Sequence, residues 1–377
     1  MDIYEQAIEL HRKHRGKITT SLRDDELDKQ KLSLYYSPGV AGASRLIAEK
    51  PEELRELTWT NNLVAIISDG SAVLGLGNIG AKAAMPVMEG KALLFKRFAD
   101  IDAVPIVLDV HTPDEIVATV KAMASSFGGI NLEDIAAPQC FEIEERLKAE
   151  LDIPIMHDDQ HGTAVVTLAG LINAAKVVGK DIKSMKIVVV GAGAAGVAIA
   201  KLLHTYAQPN LVMVDSKGII SPDRTDLNDS KKALLGFTNP NGASGSLADA
   251  VREADVFIGV SQPDLLTPEM VAAMESQPVV FALANPDPEI KPEVAHQAGV
   301  AILATGRSDY PNQVNNAVAF PGIFRGALDH NVSKITDAHK VAAAEAIANL
   351  VDEPSAENII PNVFDERLVP AIAQVIT

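Results

Sequence analysis

One cysteine, Cys140, stands in 377 residues, so no intrachain disulfide can form. That usage fits a reducing compartment, and Cys140 itself reads as a small buried apolar residue. Positive charge is scarce. There are 33 Lys and Arg against 50 Asp and Glu, for a formal net charge of −17. Nucleic acid and anionic membrane surfaces both require a basic face, so neither is an expected partner. The basic stretches at residues 11–15 and 96–97 are short, and the first reads as the solvated side of an opening helix. Long apolar runs are missing as well. The longest, residues 187–200, is interrupted by glycines and falls short of the ~20 residues that span a bilayer. The N-terminus turns charged by Glu5 and has no signal-peptide core. A soluble cytoplasmic protein is expected. No repeat or low-complexity tract is present.

The length argues for two domains, possibly three, and 47% hydrophobic residues supply a sizeable core. Residues 2–15 read as an amphipathic helix. Strands are expected at 63–68, 104–108 and 153–156. A helix is expected over 81–98, with Pro86 and Gly90 as possible breaks. Thr112-Pro-Asp-Glu115 is a capping box that opens a helix ending near Ser126, and residues 141–151 form another. A long apolar helix over 163–178 links the halves. Strands and helices then alternate, with strands at 186–190, 211–214, 256–260, 279–283 and 300–303. That order implies right-handed β-α-β units in a parallel sheet. Residues from about 335 onward are helical. The expected fold class is α/β in two domains: a mixed substrate domain over 1–160, then a doubly wound Rossmann-type domain over 161–377 whose last helices pack back on the first.

Two adjacent-carboxylate pairs carry the most information: Glu133-Asp134 and Asp158-Asp159. Neighbouring like charges repel, and burial worsens the conflict. A hard divalent cation resolves it, because Mg²⁺ and Mn²⁺ prefer carboxylate oxygens. Gly191-Ala192-Gly193-Ala194-Ala195-Gly196 follows an apolar strand, opens an apolar helix, and is followed by Asp215 at the end of the next strand. This is the order of a dinucleotide site: turn, close approach of backbone to pyrophosphate, helix packing, and an acid for the ribose 2′-hydroxyl. Asp215 favours NAD over NADP, a preference that Lys217 weakens. Gly75 to Gly80 has the same pattern without the second strand and acid, so it reads as a turn lining the substrate cleft.

Lys91 lies among apolar residues, where desolvation lowers a lysine pKa and makes a base. The bland alternative is a snorkelling lysine on a helix. Tyr36, on a Ser-Pro-Gly turn, is a candidate proton donor. Asn285 follows a parallel strand at the sheet edge where ligands bind. Asn315 and Asn316 offer amides for a carboxylate or carboxamide, although asparagine is as common in plain loops.

Taken together, these motifs resemble a malic enzyme of the short bacterial, NAD-dependent type over about residues 15–350. The resemblance rests on 36–41, 68–80, Gly90-Lys91, Glu133-Asp134, 157–163, the Gly191 turn, 284–286 and Asn315-Asn316. It implies oxidative decarboxylation of L-malate to pyruvate and CO₂. Lys91 then resembles the general base and Tyr36 the general acid. Asp158 resembles the acid beside the lysine. Glu133, Asp134 and Asp159 resemble the ligands of Mg²⁺ or Mn²⁺, and Asn285, Asn315 and Asn316 resemble contacts to substrate and nicotinamide. It also implies a homodimer. One departure stands out: many larger members carry an arginine for a malate carboxylate where this chain has Ala72. Carboxylate binding must then fall to Ser71, Asn285, Asn315 or backbone N–H groups. Other readings are a malolactic enzyme, a metal-free amino-acid dehydrogenase, and a non-catalytic NAD-sensing module.

Overall fold

The computed structural model describes residues 2–73 and 75–377. Two parallel sheets organise the chain. The first is built from β1 (Leu63–Ser68), β2 (Asp102–Val107), β3 (Gly129–Leu132) and β4 (Ile155–His157), in the order β2-β1-β3-β4. All three pairings are parallel. β1 is buried along its whole length, as a central strand covered on both faces must be. β3 was not foreseen. It is short and contains a glycine and a buried asparagine, so it lacks the apolar run that marks a parallel strand.

The second sheet has six strands: β5 (Lys186–Val190), β6 (Asn210–Asp215), β7 (Gly218–Ile219), β8 (Val256–Gly259), β9 (Val279–Ala282) and β10 (Ile302–Thr305). Their order is β10-β9-β8-β5-β6-β7. The chain reverses direction across the sheet between β5 and β8, which is where an open α/β sheet places its ligand crevice. The unforeseen β7 pairs antiparallel with β6 as a small hairpin at the sheet edge.

Several helices differ from expectation. The helix Ala81–Ala99 runs through Pro86 and Gly90 without a break. The apolar helix begins at Asp158 rather than Thr163 and continues to Val178. The second acidic pair therefore lies in its first turn, where the helix dipole favours negative charge. By length and composition this helix could cross a bilayer, but most of its residues are enclosed by protein. Its buried Asn173 donates to the carbonyls of Ala348 and Ile359, tying it to the C-terminal segment. The C-terminal region is only partly helical, with the helices Asp337–Ala348 and Leu368–Ala373.

The helix Phe320–Asp329 packs on the first sheet's layer. Phe320 and Phe324 stand edge-on to Phe95, with ring centroids 4.7 and 5.3 Å apart. Cys140 is fully buried, as expected, and burial pushes its thiol pKa up to about 12. The first helices differ from the rest of the fold. Ile3–His14, Lys29–Tyr35 and Val40–Glu49 contain no buried residue.

Candidate active site

Four elements place carboxylates around one lysine. Lys91 sits in the middle of the helix Ala81–Ala99 and is 7% exposed. Glu133 and Asp134 follow the carboxyl end of β3. Asp158 and Asp159 follow β4 and open the central helix. Adjacent strands of a parallel sheet end at the same edge, so the two doublets meet there. Asp134 takes a left-handed φ of 53°, a conformation rare for non-glycine residues and common at functional turns. Its N–H donates to Asp159 Oδ2 at 2.8 Å, locking one doublet to the other.

The Lys91 ammonium donates to Asp158 Oδ2 at 2.7 Å and lies 2.8 Å from Glu133 Oε1. It also stands 4.4 Å above the centre of the Phe320 ring, a cation–π contact that sequence reasoning missed. Burial alone would lower the lysine pKa, but the charges of Asp158, Glu133 and Asp159 outweigh it and hold the pKa above its ordinary value. The expectation of a depressed lysine is therefore corrected: the ammonium is buried, but it is buried among carboxylates. Burial raises the Asp158 pKa to about 6 and also raises that of Glu133, with Lys91 opposing both shifts.

Glu133, Asp134 and Asp159 bring one oxygen each to within 4.8 Å of one another. Glu133 is shared, since it also touches Lys91. Asn131, fully buried in β3, donates to the other Glu133 oxygen at 2.8 Å and fixes the carboxylate. Three hard oxygen donors, two of them buried and Asp159 half-buried, fit Mg²⁺ or Mn²⁺. Gly162 is required beside them, because a Cβ there would lie 1.8 Å from Asp158 Oδ1. The same Cβ would lie 3.0 Å from Asn316 Cβ, so the Asn315-Asn316 turn packs on this face of the central helix.

The candidate substrate contacts behave differently from one another. Ser71 Oγ donates to Asp69 and accepts from the Ala136 N–H. Its one proton is engaged by Asp69, so a substrate carboxylate would have to compete for it. Ala72 N–H donates to the Asp134 carbonyl. Asn315 Oδ1 accepts from the Ala317 N–H, which leaves its NH₂ group as the donor the side chain can offer a ligand. Asn285 is exposed after β9. A Cβ on Gly75 would meet the Asn285 carbonyl at 2.6 Å, so the Gly75 turn abuts this loop, as a cleft lining should. Leu74, within that turn, lies outside the described residues. Tyr36 is 70% exposed, and its hydroxyl makes no hydrogen bond among the described residues.

The Gly191 turn fits a dinucleotide. Gly191 has φ 111°, and a Cβ there would meet the Val260 carbonyl at 2.6 Å. A Cβ on Gly196 would fall 1.8 Å from the Gly191 carbonyl, whereas one on Gly193 would meet nothing within 4 Å. The open space lies at Gly193, where backbone approaches pyrophosphate. Ala192 lies in the same turn, and Ala194, Ala195 and Gly196 open the helix Ala194–Ala207, whose first N–H groups have no intrahelical acceptor. Asp215 ends β6 as expected, but its carboxylate is already engaged. Arg224 Nη1 and Nη2, Lys231 Nζ and the Lys217 N–H all donate to it, at 2.7, 3.1, 2.6 and 2.9 Å. Burial pushes its pKa up, but these donors outweigh that and hold it near 2. Arg224 and Lys231 were missed in the sequence, where their only signal was the recurrence of cations soon after the strand-ending acid.

Two family descriptions match the chain. "Malic enzyme, NAD binding domain" covers residues 160–375, and "Malic enzyme, N-terminal domain" covers 12–115 and 111–148. The chain belongs to the malic enzyme family. It is 54% identical to the bifunctional malic/malolactic enzyme of Bacillus subtilis over 100% of this chain and 92% of that protein. It is 53% identical to the NAD-dependent malic enzyme of Geobacillus stearothermophilus over 96% of this chain and 76% of that one. The crystal structure of the NAD-dependent malic enzyme from Thermotoga maritima superposes with a TM-score of 0.95 at 51% identity, covering 98% of each chain. The malic enzyme fold and its NAD-binding domain are thus those of this chain.

Proposed function

We propose that this chain oxidatively decarboxylates L-malate to pyruvate and CO₂ with reduction of NAD⁺. The observation that carries the reading is Glu133, one carboxylate that touches both Lys91 and the cluster Glu133, Asp134 and Asp159. A proton-transfer group and a candidate divalent-cation site thereby share one carboxylate.

Asn315, its carbonyl pinned by Ala317, offers its NH₂ group to a substrate carboxylate, and Asn285, after β9 of the second sheet, offers another amide. A divalent cation held by Glu133, Asp134 and Asp159 would supply Lewis-acid stabilisation of negative charge on the substrate C2 oxygen, worth roughly several kcal/mol. A nicotinamide cofactor held at the Gly191 turn would supply the hydride acceptor. Lys91 takes the proton of the C2 hydroxyl, and Asp158 holds the lysine in place throughout. To act as a base Lys91 must first be neutral. Its proton is held less tightly when the charge of Glu133 is shared with a cation. After CO₂ departs, Lys91 returns its proton to the enolate oxygen. Tyr36 then protonates C3 while Lys91 recovers the enol proton, and passing that proton to the tyrosinate returns both groups to their starting states. Each positioned acid or base contributes about 10²–10⁴-fold.

The N-terminal helices support a homodimer. Ile3, Tyr4, Ile8, Leu34 and other large apolar residues there are exposed in the single chain, a surface that a second copy would cover. Sedimentation would read the assembly directly. A soluble, cytoplasmic enzyme fits the same reading. The decisive test of the reaction supplies L-malate, NAD⁺ and Mn²⁺ and measures NADH and the carbon product together. Equal amounts of NADH and pyruvate are expected. The name of the Bacillus subtilis relative favours one further reading, a malolactic side activity. It would appear as lactate without net NADH. Neither product forming would end the proposal.

A further inference from the structure

Helices from both halves of the chain enclose a second cavity, of about 360 Å³. They are Gln139–Glu150, the start of the central helix, Ala194–Ala207 and Asp337–Ala348. The lining includes neither acidic doublet nor the Gly191 turn, so the cavity is distinct from the sites above. Its volume lies at the small end of the range for small-molecule sites, about 300–1,000 Å³.

Its walls hold donors that lack acceptors. Lys340 is 4% exposed. Its one hydrogen bond among the described residues goes to Asp337 at 2.9 Å, an aspartate whose own side chain is 63% exposed. An ammonium has three N–H donors, so two remain for a ligand. Burial lowers the Lys340 pKa, the charge of Lys148 adds to that shift, and Asp337 opposes it. Gln160 is also 4% exposed. Its amide makes no hydrogen bond among the described residues, and its nitrogen is buried without an acceptor. Such an orphan costs about 1–3 kcal/mol. Lys201 is exposed and likewise has no partner among the described residues. The carboxylates of the cavity do not cancel these donors. Glu144 already accepts from the His157 N–H, from His161 Nε2 and from Lys148 Nζ, at 3.0, 2.8 and 2.7 Å. Burial pushes the His161 pKa down to about 4, so that ring is neutral. Glu145 and Asp337 are exposed to water.

We propose that this cavity binds a phosphate group, with the buried Lys340 and Gln160 and the more exposed Lys148 and Lys201 as its donors. The four come from four separate helices, which suits an anion with oxygens on every side. Lysines meet phosphate as point charges, whereas a planar carboxylate is best met by an arginine fork, and no arginine lines the cavity. Gln160 directly follows Asp159, and Lys201 stands in the helix that the Gly191 turn opens. A bound phosphate therefore ties the element carrying the second acidic doublet to the element carrying the dinucleotide turn. The source is free phosphate or a small phosphorylated metabolite.

The test needs no turnover, so it stands apart from the malate reaction. Calorimetry titrates the full chain with inorganic phosphate and, separately, with glycerol 3-phosphate. Excess chelator removes divalent metal, NAD⁺ is kept in excess to fill the dinucleotide turn, and sodium chloride at matched ionic strength is the control. Saturable phosphate binding is expected at about millimolar concentration or below. Lys340→Met should weaken it by at least about tenfold, the worth of one charge-assisted hydrogen bond. Lys201→Gln, at an exposed position, should weaken it about two- to threefold. Tighter binding of glycerol 3-phosphate would make a phosphorylated metabolite the ligand, and equal binding would make it phosphate itself; both support the site. In urea without phosphate, Lys340→Met should be at least as stable as the parent, because it removes a buried cation whose one partner is exposed. Lost stability with unchanged phosphate binding would mean that Lys340 serves the fold alone, which counts against the proposal. No saturable binding by the parent would overturn it, as would binding that both variants keep in full.

Discussion

Replacing Lys91 with Met tests whether its ammonium is what makes the buried carboxylates tolerable. Asp158 is fully buried and Glu133 nearly so, and both touch Lys91. Methionine keeps the length and the packing on Phe320 but removes the charge. Breaking a buried ion pair from one side costs about 3–5 kcal/mol. A second route gives the share that falls on Asp158. Without the lysine, Asp158 must fold as the neutral acid. At about pH 7.5, forcing a carboxyl of ordinary pKa 3.8 to stay protonated costs roughly 5 kcal/mol. In the parent its pKa near 6 already implies roughly 3 kcal/mol of that cost. Asp158 therefore adds about 2 kcal/mol to the deficit.

The sign of the pH dependence follows. A carboxyl whose folded pKa is raised binds its proton more tightly when folded, so stability is gained as pH falls through the folded pKa toward the unfolded one. The deficit of Lys91→Met should shrink as pH drops from about 7.5 toward 5. The assay is urea unfolding in excess chelator, followed by the single tryptophan, Trp59, which stands just before β1. Adding Mn²⁺ should restore part of the loss by neutralising Glu133. A variant as stable as the parent to within about 1 kcal/mol, at every pH tested, would refute the reasoning.

Other outcomes follow from single contacts. Gly162→Ala would drive a methyl into Asp158 Oδ1, so malate turnover should fall by at least about a hundredfold while dinucleotide binding is kept. Steady-state rates and a nucleotide titration check this. Gly196→Ala, whose Cβ would fall on the Gly191 carbonyl, should abolish NAD⁺ binding measured by fluorescence. Tyr36→Phe should leave single-turnover NADH formation largely intact but slow the exchange of pyruvate methyl protons in heavy water. Normal exchange would remove Tyr36 from the chemistry.

Much of this was legible because its signals are local. The Gly191 turn, the strand before it and Asp215 after it lie within one short stretch, and the structure builds them as read. The two acidic doublets are each adjacent in sequence, and parallel strands ending at one edge bring them together. What was not legible depends on distance. The partner that fixes the charge of Lys91 lies 67 residues away, so the segment around Lys91 displays only apolar neighbours. Arg224 and Lys231 reach Asp215 through a hairpin and a short helix with no periodic pattern. Ser71 looked free because its acceptor, Asp69, is two residues away and gives no sequence signal of being a partner. Tyr36 was placed by resemblance alone, and the single chain leaves it exposed.

The charge balance of the site leads to a last prediction. Four carboxyl groups, Glu133, Asp134, Asp158 and Asp159, share the neighbourhood of one ammonium, which touches Glu133 and Asp158. The N-terminus of the helix Asp158–Val178 adds only about half a positive charge. Without a cation the group repels itself, and the fold holds it at a cost that function requires. Asp159→Asn removes one charge but keeps an oxygen to accept the Asp134 N–H, the bond that joins the doublets. In chelator this variant should be as stable as the parent or more so, by up to about 1 kcal/mol. Its Mn²⁺ affinity, read by paramagnetic resonance, should fall by at least about tenfold, since even partners behind a metal ligand cost that much. Stability lost in chelator, with Mn²⁺ binding kept, would mean that Asp159 serves the fold and not the cation, and the metal site would have to be sought elsewhere.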